Sequence, residues 1–184
     1  LMRICVYGAG AIGGYLGVLL CHAGQEVTLI ARGPHLEAMQ KNGLRLLIGG
    51  EERHAHPRAT SDPSEAGPQD YVIVTLKAHS FPGIVDAMQP MLGPETAVVT
   101  AVNGIPWWYF YGLDSPWRDT RLESVDPGGK LWDGIGPDRA IGWAADVSPC
   151  WPRGSFSWWA FLCSERSRVT SSPRRAVSDW QGNS

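Results

Sequence analysis

A glycine-rich segment near the start of the chain has the residue types and spacing needed to bind a phosphate. The segment is Gly8-Ala9-Gly10-Ala11-Ile12-Gly13, which fits the pattern GxGxxG. In such a loop the first glycine permits a tight turn, the second lets the backbone approach a pyrophosphate, and the third lets a helix pack against a strand. Backbone N–H groups at the helix start then bind the anion. The pattern predicts a dinucleotide-binding loop, and the alternative is a glycine-rich turn without a ligand.

The end of the second predicted strand indicates which dinucleotide would bind. NAD-specific sites place Asp or Glu there, roughly 20 residues past the glycines, to accept hydrogen bonds from the ribose. This chain has Ala31-Arg32 instead. A carboxylate would repel a 2′-phosphate, whereas a guanidinium binds it with charge-assisted hydrogen bonds. We therefore expect NADP(H) rather than NAD(H), and the alternative for Arg32 is a solvated surface arginine.

Two further polar residues follow predicted strands later in the chain. Lys77 lies in Thr75-Leu76-Lys77-Ala78-His79, and Asn103 lies in Asn103-Gly104-Ile105. Ligands of open α/β sheets collect where the strands end. An isolated lysine at a strand end is usually solvated, but two such residues on adjacent strands beside a phosphate loop favour a functional site.

The elements that must position these residues alternate between strand and helix. Short apolar runs predict buried strands, and apolar residues at helical spacing predict helices. A further helix is predicted to begin at Pro82, and Gly49-Gly50 predicts a hairpin turn. The predicted strands cover residues 3–7, 26–30, 44–48, 53–58, 71–76 and 96–102, and the first two helices cover residues 11–23 and 36–41. This alternation predicts an α/β fold with a Rossmann-like, doubly wound, mainly parallel sheet over residues 1–142.

Composition and charge exclude several other classes of protein. The 184 residues carry a net charge of -2, which provides no basic field for nucleic acid. No apolar run reaches the ~18 residues that a membrane span needs. The four cysteines, Cys5, Cys21, Cys150 and Cys163, show no metal-ligand spacing, so we expect reduced structural thiols and no metal. A cytoplasmic protein is the default expectation, and the oligomeric state stays open.

The composition changes beyond residue 142. All nine tryptophans lie between Trp107 and Trp180, and the last lysine is Lys130. Residues 143–184 are rich in Trp, Arg, Ser and Pro without sustained periodicity. We expect this tail not to form a domain.

The motifs together resemble those of the ketopantoate reductases (2-dehydropantoate 2-reductases). The glycine segment, Ile30-Ala31-Arg32-Gly33, Leu76-Lys77-Ala78 and Asn103-Gly104-Ile105-Pro106 follow in the order and spacing of that family, and the resemblance covers about residues 2–142. It implies reduction of a small 2-keto acid, 2-dehydropantoate, by NADPH to give pantoate for pantothenate synthesis. It also implies that Lys77 and Asn103 lie beside the nicotinamide and substrate, and that Arg32 binds the 2′-phosphate. Val102 departs from the family, which commonly has Gln there.

The resemblance ends before the region where the family has a helical C-terminal domain. That domain supplies the general-acid lysine, and this chain has no lysine after Lys130. We expect the domain to be missing from a chain that is truncated or frameshifted after about residue 142, and the alternative is a naturally divergent tail. Three functions therefore stay open: an active or vestigial ketopantoate reductase, a non-catalytic NADP(H)-binding module, and another Rossmann-type 2-keto acid dehydrogenase.

Overall fold

Eight strands carry the architecture of the computed structural model, which describes residues 1–142 of the chain. In chain order they are β1 (Arg3–Tyr7), β2 (Glu26–Ile30), β3 (Leu44–Ile48), β4 (Glu51–Ala55), β5 (Arg58–Thr60), β6 (Gln69–Val74), β7 (Leu92–Thr100) and β8 (Ala140–Gly142). Six form one sheet, and β3 and β4 form a separate antiparallel hairpin. The predicted tail of residues 143–184 lies outside the described residues.

The six-stranded sheet is parallel at every pairing and has the order β5-β2-β1-β6-β7-β8. From β1 the chain builds outward to one edge through β2 and β5, then returns to the other side of β1 with β6, β7 and β8. The strand order therefore reverses between β1 and β6, which is where open α/β sheets bind their ligands. The predicted Rossmann-like parallel fold is confirmed.

Within residues 1–142, four α-helices connect or flank the strands. They are α1 (Ala11–His22), α2 (Gly33–Asn42), α3 (Val85–Met88) and α4 (Lys130–Ile135). The helix predicted to open at Pro82 begins as a 3-10 turn over Pro82–Ile84 before α3. No helix within residues 1–142 has the length and apolar character required to cross a membrane.

Side chains pack on both faces of the sheet, as a doubly wound fold requires. On one face, alternate residues of the central strands, including Cys5 and Val72, pack with Phe81, Trp107 and Leu131. All five of these side chains are buried. This face carries α3, α4 and the aromatic segment that follows β7.

Helix α1 contacts the sheet through a glycine. A Cβ built at Gly17 would lie 3.1 Å from a methyl carbon of Leu29, which is buried in β2. The absence of a side chain therefore brings the helix backbone close to the sheet.

The prediction of one polar strand over residues 53–58 is wrong, because the segment forms parts of two strands. The structure divides this segment into β4, which ends at Ala55, and β5, which begins at Arg58 and pairs with β2 in the central sheet. Pro57 lies between them and has no N–H to donate to a ladder, so one continuous strand is disfavoured there.

Candidate functional site

One row of paired residues marks the carboxyl edge of the sheet. Tyr7 pairs with Ile30 on one side and with Val74 on the other, and Val74 pairs with Thr100. Each of these four residues is the last of its strand, so the segments that follow leave the sheet at the same edge.

The residues predicted to form the site all lie just beyond that row. Gly8 follows Tyr7 directly, Arg32 lies two residues beyond Ile30, Lys77 three beyond Val74, and Asn103 three beyond Thr100. The strands β6 and β7 end earlier than the sequence predicted, so Lys77 and Asn103 lie in the following loops rather than at the strand ends. The structure brings these four residues to one edge of the sheet.

The glycines of the loop have distinct structural roles. Gly8 has φ 107°, which favours glycine, and its N–H donates to the carbonyl of Ile30 at 3.1 Å. A Cβ at Gly13 would collide with the carbonyl oxygen of Gly8, so this position needs glycine for the helix to pack. A Cβ at Gly10 would meet nothing within 4 Å and would instead occupy open space in front of the loop.

The N-terminus of α1 fits an anionic group. Gly10 is the N-cap and has no side chain to accept from the first N–H groups, and the first turn of this helix contains no acidic residue. The first N–H groups of a helix lack intrahelical partners, and the helix dipole adds positive potential there. The open space at Gly10 and these donors together fit the pyrophosphate of a dinucleotide.

A cavity of about 280 Å³ lies beside this helix start. Its walls come from the glycine loop, the first turns of α1 and α2, and strand β3. The lining residues are Ala9, Gly10, Ala11, Gly14, Tyr15, His35, Leu44, Arg45 and Leu46. Ala11 and Ile12 are exposed at the start of α1, whereas the side chain of Ala9 is buried.

Arg32 lies two residues beyond the end of β2 and is the N-cap of α2. Its backbone is extended, with φ -138° and ψ 158°, and its side chain is exposed. Burial raises the pKa of the Tyr7 phenol and the nearby Cys5 thiol adds to the rise, whereas the positive charge of Arg32 opposes it. The guanidinium therefore acts electrostatically on the end of β1, close to the start of the glycine loop.

Two residues that contact the glycine loop were missed in the sequence. The Thr75 hydroxyl donates to the carbonyl of Gly8 at 2.5 Å, and Nε2 of His35 lies 2.5 Å from the carbonyl oxygen of Ala9. Both contacts join segments that are distant in the chain. No local pattern in the sequence indicates either of them.

Lys77 and Asn103 are both exposed in the loops after their strands. Lys77 has an extended backbone, and its carbonyl accepts from Ser80 at 2.9 Å, which begins a short 3-10 turn. Asn103 precedes Gly104, which has φ 107°. The buried side chains of Phe81 and Trp107 anchor the segments that follow. An ammonium and a carboxamide are thus available at the edge where β6 and β7 end.

The two cysteines within residues 1–142 lie inside regular elements, Cys5 in β1 and Cys21 in the last turn of α1. Cys5 and Cys21 are free, as expected, and burial raises the pKa of Cys5 to about 12. Cys150 and Cys163 lie outside the described residues. Within residues 1–142 no group of three or more His, Cys, Asp or Glu side chains could hold a metal ion.

A parallel sheet with a glycine loop at the reversal of strand order, followed directly by a helix N-terminus, defines a Rossmann-type α/β unit. The family model described as ketopantoate reductase PanE/ApbA matches residues 4–106 of this chain. This chain belongs to the ketopantoate reductase PanE/ApbA family, and the resemblance inferred from its motifs is confirmed.

Relatives and solved structures agree with this assignment. A 2-dehydropantoate 2-reductase of Mesorhizobium japonicum is 54% identical over 142 residues, which are 77% of this chain and 44% of that protein. The corresponding enzyme of Lactococcus lactis is 36% identical and matches 56% of this chain and 34% of its own length. A crystal structure described as a ketopantoate reductase from Ralstonia solanacearum is 43% identical, with a TM-score of 0.72 over 77% of this chain and 44% of that one. This chain therefore spans less than half the length of these relatives.

Proposed function

We propose that residues 1–142 bind NADPH and form the cofactor half of an enzyme that reduces 2-dehydropantoate to pantoate. The main support for this proposal is that four residues follow one row of paired strand ends at the carboxyl edge of the sheet. They are Gly8, Arg32, Lys77 and Asn103. Membership of the ketopantoate reductase family supports the reaction and the substrate.

The proposal assigns the phosphates of NADPH to two separate groups. The N–H donors at the start of α1 bind the pyrophosphate, to which Gly10 presents no side chain. The guanidinium of Arg32 binds the 2′-phosphate with charge-assisted hydrogen bonds. The two residues that follow Arg32 are Gly33 and Pro34, neither of which carries a carboxylate.

NADPH, when bound, supplies the hydride for the keto carbon of the substrate. Lys77 and Asn103 are proposed to act on the substrate side of the cofactor. The Lys77 ammonium provides positive charge and protons near the developing alkoxide, and the Asn103 carboxamide provides N–H donors that orient the carbonyl. Both side chains reach solvent, so a substrate has access to them.

The test is consumption of NADPH by this chain on addition of 2-dehydropantoate, compared between wild type, Lys77→Ala and Asn103→Ala. The proposal predicts turnover that falls by about 10²-fold or more in Lys77→Ala if Lys77 donates the proton. NADPH binding without any turnover would support a non-catalytic NADP(H)-binding module. Preference for a different 2-keto acid would support another dehydrogenase.

A further inference from the structure

The imidazole of His35 is directed at the backbone of the glycine loop. Its Nε2 lies 2.5 Å from the carbonyl oxygen of Ala9, which is 26 residues away in the chain. A carbonyl oxygen only accepts hydrogen bonds, so Nε2 must carry the hydrogen and donate it. His35 lies in the first turn of α2, three residues after Arg32.

Ala9 is the residue between the two glycines that shape the loop. Gly8 has a positive φ and Gly10 precedes the first turn of α1, and glycine restricts the backbone less than any other residue. The direction of the peptide group between Ala9 and Gly10 therefore depends on contacts from outside the loop. The described structure provides one such contact, from His35.

Holding the Ala9 carbonyl also orients the next N–H. The carbonyl of Ala9 and the N–H of Gly10 belong to one planar trans peptide, in which they point in opposite directions. A hydrogen bond from His35 to the carbonyl therefore turns the Gly10 N–H away from α2. Gly10 itself borders open space, since a Cβ there would meet no atom within 4 Å.

We propose that His35 is a positioning residue for dinucleotide binding: its Nε2–H donates to Ala9 and fixes the Ala9–Gly10 peptide so that the Gly10 N–H faces the phosphate. This inference rests on the proposed function, in which the loop binds the pyrophosphate of the cofactor. The same hydrogen bond links the loop to α2, which carries Arg32 as its N-cap. It thereby holds the two phosphate-binding groups in one arrangement.

The proposal separates the role of His35 from that of Arg32. The pyrophosphate is common to NADH and NADPH, whereas only NADPH has the 2′-phosphate. Loss of the His35 donor therefore weakens the binding of NADH and of NADPH by the same factor. A histidine that merely added charge near the 2′-phosphate would affect NADPH alone.

The experiment compares His35→Phe, which keeps a ring but has no donor, with His35→Gln, which keeps an N–H donor. Affinities for NADPH and NADH are measured by calorimetric titration of the whole chain. For His35→Phe we expect both affinities to fall by about 2- to 12-fold, the range for one neutral hydrogen bond, with the ratio between them unchanged. His35→Gln should recover most of the loss. Wild-type binding by His35→Phe, or loss of NADPH binding alone, would overturn the proposal.

A measurement without nucleotide keeps this inference separate from the proposed function. ¹⁵N NMR of the imidazole in the wild-type chain should show the neutral ring protonated on Nε2, and the ¹⁵N order parameter of the Gly10 amide should fall in His35→Phe, whereas that of Thr28 in β2 should not. A ring protonated on Nδ1, or an unchanged order parameter at Gly10, would refute the role of His35. If wild type binds neither nucleotide, the proposed function fails, and these two readouts still decide whether His35 orders the loop.

Discussion

The Thr75 hydroxyl donates a hydrogen bond of 2.5 Å to the carbonyl oxygen of Gly8, between the ends of two neighbouring strands. The Thr75 N–H also donates to the carbonyl of Tyr7 at 3.0 Å. These contacts connect the end of β6 with the first glycine of the loop, at the place where the strand order reverses. The Gly8 N–H is held from the other side by Ile30. The loop is thus attached to both strands that flank β1.

Replacing Thr75 by Val should loosen this attachment while keeping the shape of the side chain. We expect the free energy of unfolding in urea to fall by about 0.5–1.5 kcal/mol, because the Gly8 carbonyl loses a donor. The affinity for NADPH should fall as well. Thr75→Ser retains the hydroxyl and is the matched control. A Val variant as stable as wild type would show that this hydrogen bond contributes nothing.

The glycine loop offers a pair of substitutions with opposite expected effects. Gly10→Val should fold normally, since its φ of -70° and ψ of -162° suit any residue and its Cβ meets no neighbour. It should nevertheless abolish dinucleotide binding, because the side chain fills the space in front of the loop. Gly13→Ala should destabilise the fold by at least about 1–3 kcal/mol, because its Cβ collides with the Gly8 carbonyl.

Thermal unfolding and NADPH titration of both glycine variants check this pair. Normal NADPH binding by a folded Gly10→Val protein would remove Gly10 from the site. A Gly13→Ala protein as stable as wild type would contradict the tight packing of α1 on the end of β1.

The buried Cys5 thiol predicts a pH dependence of stability. Burial raises its pKa from 9.0 to about 12, so above pH 9 the unfolded chain releases this proton while the folded chain keeps it. The Cys5 contribution to stability is therefore complete below pH 9 and is lost progressively as pH rises to about 12. At pH 10, one unit above the unfolded value, the loss is on the order of 1 kcal/mol.

Urea unfolding of wild type and Cys5→Ala at pH 7 and pH 10 isolates this contribution, since other groups titrate in both proteins. The decrease in the free energy of unfolding caused by Cys5→Ala should be smaller at pH 10 than at pH 7 by that amount. An equal cost at both pH values would show that the thiol is not shielded from ionisation.

Much of the fold could be predicted from the sequence, because its hydrophobic runs and glycine positions agree with the strands and turns of a parallel sheet. The short apolar runs at residues 3–7 and 26–30 match β1 and β2 to the residue, and the glycine segment between them predicted where α1 begins. The common edge for Arg32, Lys77 and Asn103 was predictable because parallel strands end on the same side of a sheet. Strand β5 was not, since three residues are too few to show a periodicity.

The contacts that support the loop could not be read from local patterns. Thr75 and Gly8 are 67 residues apart in the chain, and His35 and Ala9 are 26 residues apart. Each contact therefore exists only after the sheet has assembled. A threonine and a histidine at these positions have no distinguishing neighbours in the sequence. The residues proposed for the site were therefore more predictable than the residues that contact the glycine loop from elsewhere in the chain.

Arg32 is the residue proposed to bind the 2′-phosphate of NADPH at this edge of the sheet. The affinities of the wild-type chain, Arg32→Ala and Arg3→Ala for NADPH and NADH test this proposal. Arg3 is exposed at the opposite end of β1 and is the matched control. One charged hydrogen-bonding contact contributes about 1.5–3 kcal/mol, so Arg32→Ala should weaken NADPH binding by roughly 10- to 150-fold and leave NADH binding and the Arg3→Ala protein unchanged. Equal weakening of NADH and NADPH by Arg32→Ala would contradict the proposal.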